Sequence, residues 1–174
     1  MRTTGIIRRI DELGRLVIPK EMRKRFHLLE GDSVEFIVND MQDIVIRKYS
    51  VLQPWEQISQ NVLNTLAKHT QNPVFLMNNE CFVQAGREVY NEFLNKKLHE
   101  DFIRNTIVYT NQQFVNVFLF EDDTVLVSGF AFPVVVHGDW IASFVVLELR
   151  EEIKEQDVKL MDAFRNYFVH TMEG

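Results

Sequence analysis

The chain has 174 residues, of which 46% are apolar, and its formal net charge is −6. This length suits one or two small globular domains, and the negative charge excludes a uniformly basic coat for nucleic acid. No apolar stretch is long enough to span a bilayer, and the N-terminus lacks the apolar core of a signal peptide. The single cysteine, Cys81, cannot form an internal disulfide bond. We therefore expect a cytoplasmic protein with no membrane partner.

The opening stretch, residues 5–31, combines two short apolar strands, a turn and a helix. Ile6–Ile10 and Leu16–Ile18 are the predicted strands. The cluster Asp11–Gly14 between them ends in a glycine, which tolerates positive φ, so a turn is predicted there. Pro19 predicts the end of the second strand and the start of a short helix, because its fixed φ suits a first helical turn.

Two more strands complete the first 50 residues. Ser33–Val38 and Ile44–Tyr49 are predicted to pair across the polar turn Asn39–Asp43. Gly31 and Asp32 mark a turn before this hairpin.

Charge separates this region from the rest of the chain. Residues 1–25 carry eight basic and three acidic side chains, whereas residues 51–174 carry a net charge of −8. A local basic patch on an acidic protein is typical of a phosphate-binding surface. The alternative is a solvated charged face with no ligand.

The run Thr4–Arg23, TGIIRRIDELGRLVIPKEMR, resembles the hallmark sequence of the AbrB-type transition-state regulators. The resemblance extends over residues 1–49, and it includes the E-G-D sequence of Glu30–Asp32. It implies a swapped-hairpin β-barrel, in which the hairpins of two chains interleave and the homodimer is the folding unit. Fifty residues bury little core on their own, which agrees with that expectation.

The resemblance also implies which basic residues contact double-stranded DNA. Family contacts come mostly from the first strand, the turn and the short helix, and the matching residues here are Arg8, Arg15, Arg23 and Lys24, with Arg9 and Lys20 as helpers. The family often has arginine at the position of Lys24. Lysine keeps a phosphate contact but lacks the planar fork that suits a guanine edge. We therefore expect phosphate contacts and DNA shape to contribute much of the recognition.

Residues 51–54 are the predicted linker, and residues 55–174 are the predicted second domain. The apolar spacing from Trp55 to Leu66 predicts an amphipathic helix that ends near Thr70. A strand pair, Val74–Met77 and Glu80–Gln84, follows around Asn78-Asn79 and leads to a helix over Glu88–Asn95, while Leu98–Asn105 is ambiguous between a helical turn and a loop. An antiparallel meander is predicted over Thr106–Tyr109, Phe114–Phe120, Thr124–Val136 and Trp140–Leu149, and a last helix over Glu155–Met172. Pro133 predicts a bend or an edge near the end of the third of these strands.

The pattern of the second domain predicts an α+β fold. The order of its elements and the sequence Gly138-Asp139-x-Ile141-Ala142 resemble family members in which a GAF-like domain follows the AbrB-type domain. That resemblance implies a regulator, activator or repressor, of sporulation or spore germination genes that is associated with the nucleoid. The GAF-like domain would bind an unknown small molecule or hold a homotetramer together.

Two alternatives to a DNA-binding regulator are an antitoxin and an enzyme. Swapped-hairpin modules also occur in antitoxins, where the segment after the barrel wraps a partner protein. An enzyme built on residues 51–174 is disfavoured, because no nucleophile-elbow or phosphate-loop motif occurs. The five histidines are dispersed and make no metal-ligand spacing, so neither a metal nor a cofactor is expected. The acidic run Glu121–Asp123 is interpreted as a hairpin turn in preference to a cation site.

Overall fold

The computed structural model describes residues 5–26, 28, 30, 32–122 and 124–174. The chain folds into two compact units, residues 1–50 and residues 51–174. The predictions that involve His27, Gly31 and Asp123 lie outside the described residues.

The described residues of the first unit form one short helix and one β-hairpin. Helix α1, Lys20–Arg25, begins directly after Pro19, as the sequence predicts. Strands β1, Val34–Val38, and β2, Ile44–Lys48, pair antiparallel. The Oδ1 atom of Asn39 accepts hydrogen bonds from the backbone nitrogens of residues 41 and 43, at 3.0 and 2.9 Å, which closes the predicted turn.

The predicted strands Ile6–Ile10 and Leu16–Ile18 are not formed as strands within the described part of this single chain. The turn between them is present. The backbone N–H of Gly14 donates to the carbonyl of Asp11 at 2.9 Å, and Gly14 has a φ of +76°. A strand needs a neighbour for its ladder, and β1 and β2 use each other. Within the described residues of one chain, neither apolar segment joins the β1-β2 ladder.

The first unit has almost no core of its own. Pro19 is the single buried residue among the described residues up to residue 50. Large apolar side chains are instead exposed over residues 6–18 and on strands β1 and β2, namely Ile7, Ile10, Leu13, Val17, Phe36, Val38 and Ile44.

The second unit is a five-stranded antiparallel sheet with helices on both faces. Helix α2, Glu56–His69, follows a 3₁₀ turn over Gln53–Trp55. The strands are β3, Val74–Met77, β4, Phe82–Ala85, β5, Gln112–Phe118, β6, Leu126–Val136, and β7, Asp139–Leu147, in the order β4-β3-β7-β6-β5. The remaining helices are α3, Glu100–Thr106, and α4, Glu155–Glu173, and a second 3₁₀ segment covers Glu88–Phe93. Mixed α and β structure in the chain agrees with the predicted α+β class.

The sheet separates two apolar cores, because alternate side chains of each strand point to opposite faces. On one face, β3 and β7 contribute Leu76 and Phe144, which pack with α2 and α4. On the other face, Phe75 stacks on Phe82 with ring centroids 4.2 Å apart, and Phe102 of α3 packs against this pair. The phenylalanines of this unit therefore serve largely as core.

Several predicted boundaries in the second unit need correction. Strand β4 begins at Phe82, because the Oδ1 atom of Asn78 accepts from the backbone nitrogens of residues 80 and 81 and makes the turn four residues long. Thr106 ends α3, so the predicted strand Thr106–Tyr109 is wrong. The other three predicted strands form the meander β5-β6-β7. Pro133 lies beyond the last β5 partner of β6, which leaves it at the predicted edge.

Candidate nucleic-acid interface

The six basic residues that the sequence predicts as DNA contacts occupy two neighbouring parts of the first unit. Arg8 and Arg9 precede the turn at Gly14, and Arg15 follows it. The other three, Lys20, Arg23 and Lys24, lie on α1. All six side chains are exposed.

Arg15 is held by Asp11 across the turn. The Nε atom of Arg15 donates to Oδ2 of Asp11 at 2.8 Å, and the backbone nitrogens of Leu13 and Arg15 donate to Oδ1 at 3.0 and 2.8 Å. The backbone hydrogen bond from Arg15, reinforced by its side chain, holds the pKa of Asp11 below its ordinary value. The aspartate is therefore ionised at neutral pH.

Arg8 is held less firmly than Arg15, by a hydrogen bond to the neighbouring main chain. Its Nη1 atom donates to the carbonyl oxygen of Ile7 at 3.0 Å. Hydrogen bonds of this kind leave most of the guanidinium donors available, because arginine has five.

The helix cations carry unneutralised charge. Lys20 lies three residues before Arg23 and four before Lys24, so the three share one side of α1. Within the described part of the chain, no carboxylate forms an ion pair with these three residues or with Arg9. Arg23 and Lys24 stand in the last turn of α1, where the helix dipole favours positive charge.

The second hairpin shows the opposite arrangement. Arg47 Nε lies 2.6 Å from Glu35 Oε1, and Lys48 Nζ lies 3.0 Å from Asp32 Oδ2. The cations of β2 are thus compensated by neighbouring carboxylates. Among the described residues of the first unit, uncompensated positive charge is therefore concentrated before the first turn and on α1.

Two charged residues that the sequence-based prediction omits also belong to this surface. Arg25 is in the last turn of α1, with its guanidinium carbon 5.8 Å from the ring centroid of Phe26. Asp11 is omitted because an acid is not an obvious part of an anion-binding surface. The spacing of aspartate, glycine and arginine within five residues is the signal that could have identified it.

Beside this basic surface lies an apolar groove of about 520 Å³ in the first unit. The segment before the first turn and the segment after it both contribute walls, together with α1 and β2. Its apolar lining includes Ile6, Leu16, Val17, Ile18, Met22, Phe26 and Ile46. Arg8 stands at the same groove, so charge and apolar surface adjoin each other here.

Metal-binding and membrane-spanning features are both missing from the described residues. No cluster of histidine, cysteine and acidic side chains in that part of the chain could hold a metal ion. None of the helices found there combines the length and apolar character needed to cross a membrane.

Comparison with known proteins gives matches to the N-terminal region and a match along almost the whole chain. A family profile described as "Antidote-toxin recognition MazE, bacterial antitoxin" matches residues 7–53. "Stage V sporulation protein T" of Bacillus subtilis (strain 168) is 26% identical over 180 aligned positions, which cover 99% of each chain. "Transition state regulatory protein AbrB" of the same organism is 47% identical over 49 residues, 28% of this chain and 50% of that protein.

A solved structure also matches the first unit. It is "The solution structure of the N-domain of the transcription factor abrB", with 46% identity over 29% of this chain and 94% of that chain, and a TM-score of 0.27. The sequence identities define an AbrB-type N-terminal region, as the opening motif predicts. The N-terminal region of the chain is similar to the AbrB-type transition-state regulators, and the chain as a whole is similar along its full length to stage V sporulation protein T.

Proposed function

We propose that this protein is a DNA-binding transcription regulator of the AbrB type. The observation that carries the proposal is the set of exposed, uncompensated cations on α1 and before the first turn, on a chain whose net charge is −6. Positive charge that is not neutralised within the protein is available to DNA phosphates. The names of the similar proteins, a transition state regulatory protein and a transcription factor, support the same function.

The DNA-binding unit is a homodimer, formed by two copies of residues 1–50 as a swapped-hairpin barrel. Its support is the exposed apolar surface described above, together with the groove of about 520 Å³. A unit that buries one described residue cannot be stable through its own core. A second copy supplies apolar side chains of matching character and strands that complete the ladders of Ile6–Ile10 and Leu16–Ile18.

Six residues of each copy form the DNA contact surface: Arg8, Arg9, Arg15, Lys20, Arg23 and Lys24. A two-fold axis presents each of them twice, so the surface can follow the two strands of a duplex. Cations that replace condensed counterions provide affinity, and the arginine forks provide contacts to base edges.

The chain has an AbrB-type domain at residues 1–50, a linker at 51–54 and a GAF-like domain at 55–174. The last of these regulates the DNA-binding unit or joins two dimers into a homotetramer. Full-length similarity to stage V sporulation protein T supports this arrangement and a role in the control of sporulation or germination genes. Such a regulator acts in the cytoplasm on the nucleoid, and a small-molecule signal for the GAF-like domain is part of the proposal.

The test is a salt titration of DNA affinity with the full-length chain and a mixed-sequence 30-bp duplex. The slope of log affinity against log salt is about −0.9 for each phosphate contact, so Arg23→Ala in a dimer reduces its magnitude by roughly 1.8. Arg47→Ala is the matched control, because Arg47 is already paired with Glu35. Equal slopes for the two variants would contradict the proposed surface, and absence of binding at low salt would contradict the function.

A second candidate function has one specific observation in its favour. The family profile that matches residues 7–53 is described as a bacterial antitoxin. In that case the chain binds and neutralises a protein. Affinity capture with the full-length chain, followed by an activity assay of the captured protein with and without the chain, separates the two functions. Recovery of a protein whose activity the chain inhibits, together with absence of DNA binding, favours the antitoxin.

A further inference from the structure

We propose that Asp11 is a positioning residue for DNA recognition. It holds the guanidinium of Arg15 in one orientation, so that the remaining fork of donors meets the DNA as a bidentate pair. The inference rests on the proposed function and deepens it. It assigns sequence selectivity to an acidic side chain that itself makes no contact with DNA.

Asp11 contacts Arg15 at three points. The carboxylate accepts from the backbone nitrogen of Arg15 and from its Nε, each at 2.8 Å. The backbone nitrogen of Asp11 donates to the carbonyl oxygen of Arg15 at 3.1 Å. Both the main chain and the side chain of Arg15 are thereby fixed to the same residue.

The two carboxylate oxygens have different tasks. Oδ1 accepts the backbone nitrogens of Leu13 and Arg15 and so closes the turn. Oδ2 accepts the side-chain Nε of Arg15. One oxygen therefore shapes the main chain, and the other orients the guanidinium.

The geometry of arginine explains why this bond leaves the recognition edge available. The guanidinium is planar, with Nε at one corner and the two Nη atoms at the others. Asp11 uses the Nε corner, and the side chain of Arg15 is still 71% exposed. The edge formed by Nη1 and Nη2 can donate two parallel hydrogen bonds to a guanine or to a phosphate.

Orientation before binding favours a specific contact. A free arginine side chain has many rotamers, and ordering them on association opposes binding. A guanidinium already fixed by Asp11 loses less freedom when it meets its target. The advantage applies to a contact whose geometry is fixed, such as a base edge, more than to general attraction by phosphates.

The carboxylate also has an opposing effect. Its negative charge lies within a basic surface and reduces the attraction of phosphates. An acidic side chain at position 11 therefore lowers non-specific affinity for DNA and raises selectivity. These opposite effects allow the positioning role to be measured separately from charge.

Asp11→Asn separates the two tasks of the carboxylate. Asparagine keeps an acceptor at the position of Oδ1 for the turn, but its amide nitrogen cannot accept from Nε of Arg15. The matched control is Asp43→Asn. Asp43 is also an exposed acid in a turn of the first unit, and its partner is the side chain of Asn39.

The experiment uses the full-length chain and two 30-bp duplexes: one recovered by the wild-type protein from a random-sequence library, and one of unrelated sequence. We expect Asp11→Asn to reduce the ratio of the two affinities by at least about tenfold, because one good bidentate base contact contributes about that much and the dimer presents it twice. Its affinity for the unrelated duplex stays equal or rises. Asp43→Asn keeps the ratio within about twofold of the wild type.

A double-mutant cycle with Arg15→Ala identifies the route of the effect. If Asp11 acts through Arg15, Asp11→Asn produces no further loss of the ratio in the Arg15→Ala background. If Asp11 served only to close the turn, Asp11→Asn would lower the affinity ratio equally in the wild-type and Arg15→Ala backgrounds. If Asp11→Asn does not fold, Asp11→Ser replaces it, because a serine hydroxyl can still accept from the backbone nitrogens of the turn but has no second oxygen for Nε of Arg15.

Two negative results have different meanings. If the wild type binds the selected duplex and folded Asp11→Asn has the same affinity ratio as the wild type, the positioning role of Asp11 is overturned, but the proposed function is not. An unchanged ratio in Asp11→Ser has the same meaning. Absence of wild-type binding to any library duplex overturns the proposed function and this inference with it.

Discussion

Val17→Asp provides the sharpest test of the proposed dimer. Val17 lines the apolar groove of the first unit, yet 73% of its surface is exposed in one copy of the chain. If a second copy fills the groove, this exposed fraction becomes buried. If the unit is complete as a monomer, Val17 is an ordinary surface residue.

The expected effect follows from the exposed fraction. Complete burial of a valine side chain contributes about 1.5–3 kcal/mol, so burial of three quarters of it contributes roughly 1–2 kcal/mol for each copy. Two copies give about 2–4 kcal/mol for each dimer. At 1.4 kcal/mol for each factor of ten, the dimer of Val17→Asp dissociates about 30 to 700 times more readily. The desolvation of the introduced carboxylate makes this a lower limit.

The assay is sedimentation equilibrium of the full-length chain over a wide concentration range. Met41→Asp is the matched control, because Met41 is 80% exposed at the turn of the second hairpin and is outside the groove lining. It adds the same charge to the same unit. A dissociation constant for Val17→Asp within about twofold of that for Met41→Asp would refute the interleaved dimer.

Three further predictions concern the second unit, whose unfolding can be followed by fluorescence because both tryptophans lie in it. Asn72 is 1% exposed, and its Oδ1 accepts three backbone hydrogen bonds. We therefore expect Asn72→Ala to lower the free energy of unfolding by about 3 kcal/mol. The control, Asn64→Ala at an exposed position, should lower it by less than about 0.5 kcal/mol. A Cβ at Gly129 would lie 2.1 Å from a carbonyl oxygen of β7, so Gly129→Ala destabilises the unit by roughly 3 kcal/mol or more, and wild-type stability would contradict that packing. Burial raises the pKa of Asp162, but hydrogen bonds from neighbouring side chains, Arg165 among them, outweigh it and hold the pKa below its ordinary value of 3.8. The resulting stability is present above about pH 4 and lost below it, so urea unfolding of Asp162→Asn should show a flatter acid limb than the wild type.

Long elements with regular apolar spacing could be predicted closely from the sequence. Helix α4 is predicted over residues 155–172 and observed over Glu155–Glu173, because its apolar stripe packs directly on the sheet. Strand β3 has the predicted ends, since a buried apolar run between Pro73 and Asn78 has few alternatives.

Tertiary contacts decide the elements that the sequence leaves open or predicts wrongly. The β-prone residues 107–109 follow α3, whose last residue, Thr106, donates its hydroxyl to the carbonyl of Phe102 and accepts from Ser143 of β7. These bonds favour a helical end over the strand that local propensity indicates. His99 resolves the ambiguous segment after residue 98, because its Nδ1 accepts from the backbone nitrogen of Asp101 and begins the helix.

The first unit shows a different limit of prediction. The apolar pattern of Ile6–Ile10 and Leu16–Ile18 predicts strands, but a pattern does not say which chain provides the partner. The same limit applies to its charges. The sequence locates the basic residues, whereas their division into compensated and uncompensated sets requires the contacts of Arg47 with Glu35 and of Arg15 with Asp11.

That division of charge has a consequence for selectivity. In the proposed complex with DNA, the uncompensated cations attract any duplex, but residues 51–174 carry a net charge of −8, which opposes close approach of the phosphate backbone. Both effects are weakened by salt, since they act over a Debye length of about 8 Å at physiological ionic strength. Short contacts of fixed geometry are weakened less. In the proposed regulator, an acidic chain with a small basic surface therefore gains selectivity from oriented groups such as Arg15, and loses the non-specific affinity that a uniformly basic protein would have.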